Sequence, residues 1–311
     1  MSLRILLLST SLLLAFPVWA YSSQGYVQRL SQNATISWDN GELLVVKGIQ
    51  GSEDEEKAAL TSLSVRKAVI SARKQMLDMI LSVRVDSRQT VSAYLSEENE
   101  LAERVRGLVQ NSPIERPSVF NENGEVRVFE ILRGKLAELI LPTTIPFQSG
   151  IPPKMATSFE QDLSFQETVP EPVGTGISRY TGVIIDARGL KVTPALTPVI
   201  FGQDGVGVYG AFMVSRADAI NKGVVSYVTT PNPVVLEKRV GTNPLLVPAL
   251  SVYGSWRTDL VIASPMARLI KTILRSPGVL ENCRVVVVLD SIEGLNVEEG
   301  VYSSDLPLED Q

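Results

Sequence analysis

The chain has no histidine and a single cysteine among its 311 residues. Without histidine, neither a Ser-His-Asp nor a Cys-His catalytic set can be assembled, and the commonest transition-metal ligand is missing. One thiol and no imidazole leave too few donors for a structural or catalytic zinc site. An intramolecular disulfide is impossible with Cys283 alone. Cys283 stands at the entry of the apolar run Val285-Val286-Val287-Val288-Leu289 and reads as an inert core thiol, because free cysteine is among the most buried residue types. A redox or nucleophilic thiol needs an accessible, electropositive setting, for which the adjacent Arg284 is the one local support. Carboxylate, lysine, serine and tyrosine chemistry remain open.

An excess of positive charge is also lacking. The chain carries 29 Lys and Arg against 34 Asp and Glu, a net of −5. Nucleic-acid binding, which rests on clustered basic side chains, is therefore not expected. Nor is there a basic amphipathic stretch suited to an anionic membrane surface. Otherwise the composition, 44% hydrophobic and 20% charged, is that of an ordinary globular protein.

No apolar run reaches the ~20 residues that span a bilayer. The longest, from Ile5 to Phe16, follows Arg4 and ends at Pro17, and Val18-Trp19-Ala20 then places small residues at the −3 and −1 positions. This is the pattern of a secretory signal peptide cleaved after Ala20. The mature protein is expected to begin at Tyr21 and to reside in the periplasm. No cysteine follows the apolar run, so no lipidated cysteine and no direct membrane anchor are expected.

Beyond the signal, residues 34–49 read as a hairpin about Asn40-Gly41, the strongest short hairpin signal. Ser52, followed by the acidic residues 53–56, reads as the cap of a helix running to about Leu81. Val65, Ala68, Val69, Ala72, Met76, Met79 and Ile80 recur at steps of three and four and form its apolar stripe. Residues 83–86 and 90–92 read as one strand segment, 96–109 as a shorter helix, and 125–131 as a half-buried strand of period two. The fold class expected is α+β: a small antiparallel sheet with a packed long helix, then a second, mixed α/β domain. Prolines at 142, 146, 152, 153, 170 and 172 mark a linker or draped segment. The expected organisation is a signal at 1–20, a first domain at 21–141, a proline-rich linker at 142–177, a second domain at 178–291 and an acidic tail at 292–311.

Two patterns invite a functional reading. Gly205, Gly207 and Gly210 match the dinucleotide pattern G-x-G-x-x-G, yet they open a strand inside a hairpin rather than a helix, so the glycines read as turn and close-contact residues. Asp186, Arg188, Arg239, Asn243, Arg257, Asp259 and Asp290 form a charged and polar constellation near apolar strands, and Asp186, Arg188, Arg257 and Asp259 are its candidate ligand-binding set. Their alternative is a set of Arg-Asp bridges that fix loop conformation. No catalytic residue, metal ligand or cofactor-binding residue is assigned.

The helix Arg66-Lys67-Ala68-Val69-Ile70-Ser71-Ala72-Arg73-Lys74-Gln75-Met76-Leu77, then Val83-Arg84-Val85-Asp86, Thr90-Val91 and the Val105, Gly107, Val109 spacing, resembles the Lpp-twenty-like, FlgP-like family of bacterial envelope proteins. Tyr180 to Leu190, Pro194-Ala195, Pro198, Val208-Tyr209-Gly210, Gly223 to Tyr227, Gly241 to Leu245 and Arg257 to Ile262 are similar to a segment attached to such domains in exported bacterial proteins. The resemblance covers roughly residues 30–140 and 178–290. It implies a non-enzymatic structural or assembly role in the cell envelope, possible settings being the flagellar basal body and the outer membrane. Implied partners are envelope or flagellar proteins and further copies of the chain, with protein–protein contact as the mode of action. A periplasmic ligand-binding protein using the Asp/Arg set is the alternative. Members of that family carry an acylated cysteine where this chain has Tyr21, so association would run through a partner or an oligomer.

Overall fold

Asp39, Asn40 and Gly41 reverse the chain between two strands, and the first sheet grows outward from that turn. Gly41 takes φ +78° there, a conformation that costs a residue without Cβ little. A computed structural model describes residues 25–49, 62–115, 124–143, 147–155 and 180–291. The signal segment, the Ser52 cap, most of the proline-rich stretch and the acidic tail lie outside the described residues.

The first domain comprises β1 (Val27–Ser31), β2 (Ala34–Ser37), β3 (Glu42–Gly48), α1 (Ser62–Ser82), α2 (Val91–Ser96), α3 (Asn99–Gln110), β4 (Ile114–Glu115), β5 (Glu125–Ile131) and α4 (Lys135–Ile140). Its sheet has the order β1-β2-β3-β5-β4 and is antiparallel at every pairing. Alternation sends Leu43 and Val45 of β3, and Val126 and Val128 of β5, inward. α1 lies across β3 and β5 and presents Ala72, Met76 and Ile80, each fully buried. Burying one large aliphatic side chain in this way contributes about 1.5–3 kcal/mol, so the stripe rather than helix propensity fixes α1 in place.

One expected strand is absent. Residues 83–92 form an isolated bridge between Arg84 and Thr90 in place of a strand, with Val91 N–H donating to Val83 O at 2.9 Å and Val85 N–H to Gln89 O at 3.0 Å. The Asp86 carboxylate accepts from the backbone N–H of Arg88 at 2.7 Å and of Gln89 at 3.0 Å, which folds the chain back on itself. Thr90 then caps α2, its Oγ1 accepting from Ala93 N–H at 3.1 Å. Local side-chain bonds of Asp and Thr thus outcompeted a strand ladder.

The second domain comprises β6 (Gly182–Asp186), β7 (Ile200–Gly202), β8 (Gly207–Tyr209), α5 (Arg216–Lys222), β9 (Ser226–Val228), α6 (Pro233–Val240), β10 (Pro244–Tyr253), β11 (Asp259–Ile262), α7 (Ser264–Ile273) and β12 (Val285–Val288). Its seven-stranded mixed sheet has the order β8-β7-β11-β10-β6-β12-β9. β6, β9, β10 and β12 run parallel, and β7 and β11 run the other way. Both faces of β12 are covered, which is why Val285 to Val288 are an uninterrupted apolar run. Val285 and Val287 join the main core, while Val286 and Val288 pack with Ile184, Leu236 and Val240 beneath α6. β10 tolerates two prolines. Pro244 is its first residue, and Pro248 ends the pairing with β6 just before pairing with β11 begins at Ala249.

The two domains share one hydrophobic cluster. Tyr26 N–H donates to Tyr227 O at 3.0 Å, Leu196 N–H to Arg84 O at 3.0 Å and Gly134 N–H to Ile220 O at 2.9 Å. The Arg216 guanidinium reaches from α5 to the end of α4, donating to Glu138 O at 2.6 Å and Leu141 O at 3.0 Å. Residues 147–155 run along β8: Gln148 N–H donates to Ala211 O at 3.1 Å, and Gly207 N–H to Pro153 O at 2.9 Å. This part of the proline-rich stretch is packed against the second sheet. No helix among the described residues is long and apolar enough to cross a membrane.

Candidate functional site

Three of the four candidate residues meet on the loop that leaves β6. Asp186 ends that strand and accepts from the Arg188 guanidinium at both oxygens, at 2.8 Å from Nε and 2.6 Å from Nη2. This two-pronged bond holds the Asp186 carboxyl below its ordinary range. Asp290, just past β12, accepts from Gly189 N–H at 2.7 Å. Arg257 adopts φ +55° in the turn between β10 and β11 and donates to Lys191 O at 3.1 Å and Leu190 O at 2.7 Å. Its charge is thus applied to backbone carbonyls of the same loop.

Asp259 stands apart from the other three. At 2% exposed, its Oδ1 accepts from Val199 N–H at 2.9 Å and from the Thr258 hydroxyl at 3.3 Å. Burial pushes its carboxyl up to about 6, against the hydrogen bonds from Val199, Ser87 and Thr258. Asp86, across the domain junction, adds to the rise. The set therefore resolves into an Asp186–Arg188 bridge, an arginine clamp on residues 190–191 and a buried carboxylate at the domain seam.

Cys283 is fully buried, and burial pushes its thiol up to about 11, which suits a packing role and not a nucleophile. Gly207 and Gly210 have packing reasons of their own. A Cβ on Gly207 would meet Pro153 at 2.8 Å, and one on Gly210 would meet the Phe212 ring at 3.1 Å. Among the described residues no group of three or more carboxylates or thiols is placed to hold a metal ion.

A strongly charged concavity lies elsewhere. A cavity of about 550 Å³ opens where the Asp39 turn of the first domain faces β9, α6 and the start of β12. Among the described residues, Arg133, Lys222, Lys238, Arg239 and Arg284 line it, and Asp39 is the one carboxylate in its wall. Arg239 donates to Lys222 O at 2.7 Å and Gly223 O at 2.9 Å, so it closes the C-terminal end of α5. Arg133 donates to Asp39 O, and Arg284 to Thr181 O at 3.3 Å. Burial lowers the affinity of Arg239 and Arg133 for their protons, and Arg239 lowers that of Arg133 further. Of these residues only Arg239 belongs to a sequence-level constellation. The others are separated by up to 151 positions, from Arg133 to Arg284, and no spacing in the chain announces them.

Residues 182–291 match the family model for the second domain of Treponema pallidum Tp0624. The match begins at the first residue of β6 and ends past β12, so it takes in every strand of the seven-stranded sheet. This part of the chain is thus similar to a domain of a bacterial protein. No curated protein matches the chain.

Proposed function

We propose that the protein is a periplasmic, non-enzymatic component of the bacterial cell envelope with a structural or assembly role. The flagellar basal body and the outer membrane are its proposed settings, and contacts with envelope proteins and with its own copies are its mode of action. One observation carries this reading: the charged residues that the sequence offers for chemistry are engaged in holding the fold. Asp186 and Arg188 neutralise each other, Arg257 clamps carbonyls, and Asp259 is sealed in the domain seam. The shared core also joins the two sheets into one body, which suits a part that transmits contacts. The signal-like start and the similarity to a bacterial domain agree with an envelope setting.

Light scattering on the mature protein, with crosslinked capture from the native envelope, tests the reading. An oligomer together with a flagellar or outer-membrane partner is expected. A monomer that captures no envelope component would overturn it.

A further inference from the structure

The groove at the domain junction inverts the charge of the chain. The protein as a whole is net negative, whereas, among the described residues, five cationic side chains and one carboxylate line this cavity. Lys222 forms an ion pair with Asp218 at 2.9 Å. Among the described residues, Arg133, Lys238, Arg239 and Arg284 form no ion pair with any carboxylate. The Asp39 carboxylate accepts from Ser37 Oγ and from Asn40 N–H, each at 2.7 Å, and its charge offsets part of that of Arg133.

A fold has reasons to hold some of these cations. Lys222, Lys238 and Arg239 lie in the last turns of α5 and α6, where positive charge complements the helix dipole. Carbonyl bonds satisfy hydrogen-bonding valence but leave the charge unneutralised. Arg239 gives both Nη atoms to carbonyls and its Nε is buried, so it lends the groove wall its charge rather than a free donor. Cations in excess of carboxylates around one concavity are what an anion of several charges requires. Guanidinium forks match the oxygens of a phosphate group in pairs.

We infer that this groove binds a compact polyanion bearing phosphate groups, the cations of the Arg133 turn, α6 and the β12 entry gripping it from both domains. A cavity of about 550 Å³ lies within the range that holds small ligands, ~300–1,000 Å³. A monocarboxylate would neutralise one charge of this excess, whereas an oligophosphate meets several at once. The site is independent of the envelope role proposed above.

Tripolyphosphate, titrated calorimetrically into the purified protein at low salt against sulfate of matched ionic strength, is the test. Saturable binding tighter than that of sulfate, and weakening with added chloride, is expected. Lys238 is exposed on α6, so Lys238→Glu leaves the core untouched and should weaken binding at least about tenfold. Arg133→Gln, checked for folding by circular dichroism, should do the same. Lys271→Glu makes the same charge change at a different cavity and should leave the affinity intact. Vesicles of phosphatidylglycerol, compared with phosphatidylcholine, tell a lipid-borne phosphate from a soluble one; binding to either supports the site if Lys238→Glu abolishes it. Binding to neither probe, or equal losses in Lys238→Glu and Lys271→Glu, would overturn the inference.

Discussion

The indole of Trp38 meets the ring of Tyr227 edge-on, with centroids 5.5 Å apart and planes inclined at 77°. Trp38 follows the last residue of β2 in the first domain, and Tyr227 lies at the centre of β9 in the second. Both are buried, at 6% and 1% exposed. This geometry places a favourable aromatic contact inside the seam that joins the two sheets.

Trp38→Ala should therefore act on both domains together. Removing a buried aromatic costs about 3–5 kcal/mol. Because one core spans both sheets, urea unfolding should show a single transition moved to lower denaturant. Two separated transitions in the wild-type protein would contradict a shared core.

The Tyr227 hydroxyl also bridges a loop. It donates to Ala195 O at 3.0 Å and accepts from Ala195 N–H at 3.1 Å. Tyr227→Phe keeps the ring and strands both backbone groups in a buried place, at a cost of about 1–3 kcal/mol. Equilibrium denaturation measures this, and an unchanged midpoint would mean that the hydroxyl is dispensable.

Asp259 should impose a pH dependence of unusual sign. Its carboxyl sits at about 6 in the fold against an ordinary 3.8, so the unfolded chain releases this proton first as pH rises. Its contribution to stability is neutral below about pH 4, declines through the window from 4 to 6, and above 6 amounts to a cost of about 3 kcal/mol. Asp259→Asn preserves an acceptor for Val199 N–H and removes the ionisation. The variant should gain on the wild type at pH 7.5 and show no gain at pH 4, as read from denaturation midpoints at both pH values. A constant difference across that window would refute the assignment.

Gly182 begins β6 where three backbones converge. A Cβ there would lie 2.4 Å from Val240 O and 2.8 Å from Arg284 O, and neither carbonyl is a flexible chain end. Gly182→Ala should cost about 1–3 kcal/mol through overpacking, seen as a lowered Tm. Gly48→Ala, which meets nothing within 4 Å, should show no overpacking penalty.

Local pattern made much of the architecture legible. The Asn40-Gly41 hairpin, the α1 stripe, the alternation of β5 and the valine run of β12 each declare themselves within a few residues, because their periodicity is set by one face being buried. β10 was not legible, since Pro244, Pro248 and the half-exposed Leu246 break any strand pattern. Its length comes from two neighbours, β6 along one part and β11 along the next. The strand expected across residues 83–92 failed for the opposite reason: Asp86 and Thr90 satisfy nearby N–H groups themselves.

By itself, the sequence determined which chemistries are closed to this protein, because residue types that are absent cannot act. It also determined the α+β class, through apolar periods that only a buried face satisfies. Tertiary structure alone decided how the charges are used. It paired Asp186 with Arg188, buried Asp259 against the loop carrying Ser87, and brought Arg133, Arg239 and Arg284 to one groove from distant parts of the chain. Electrostatic roles depend on distance and burial in space, and neither quantity is encoded in the linear spacing of charged residues.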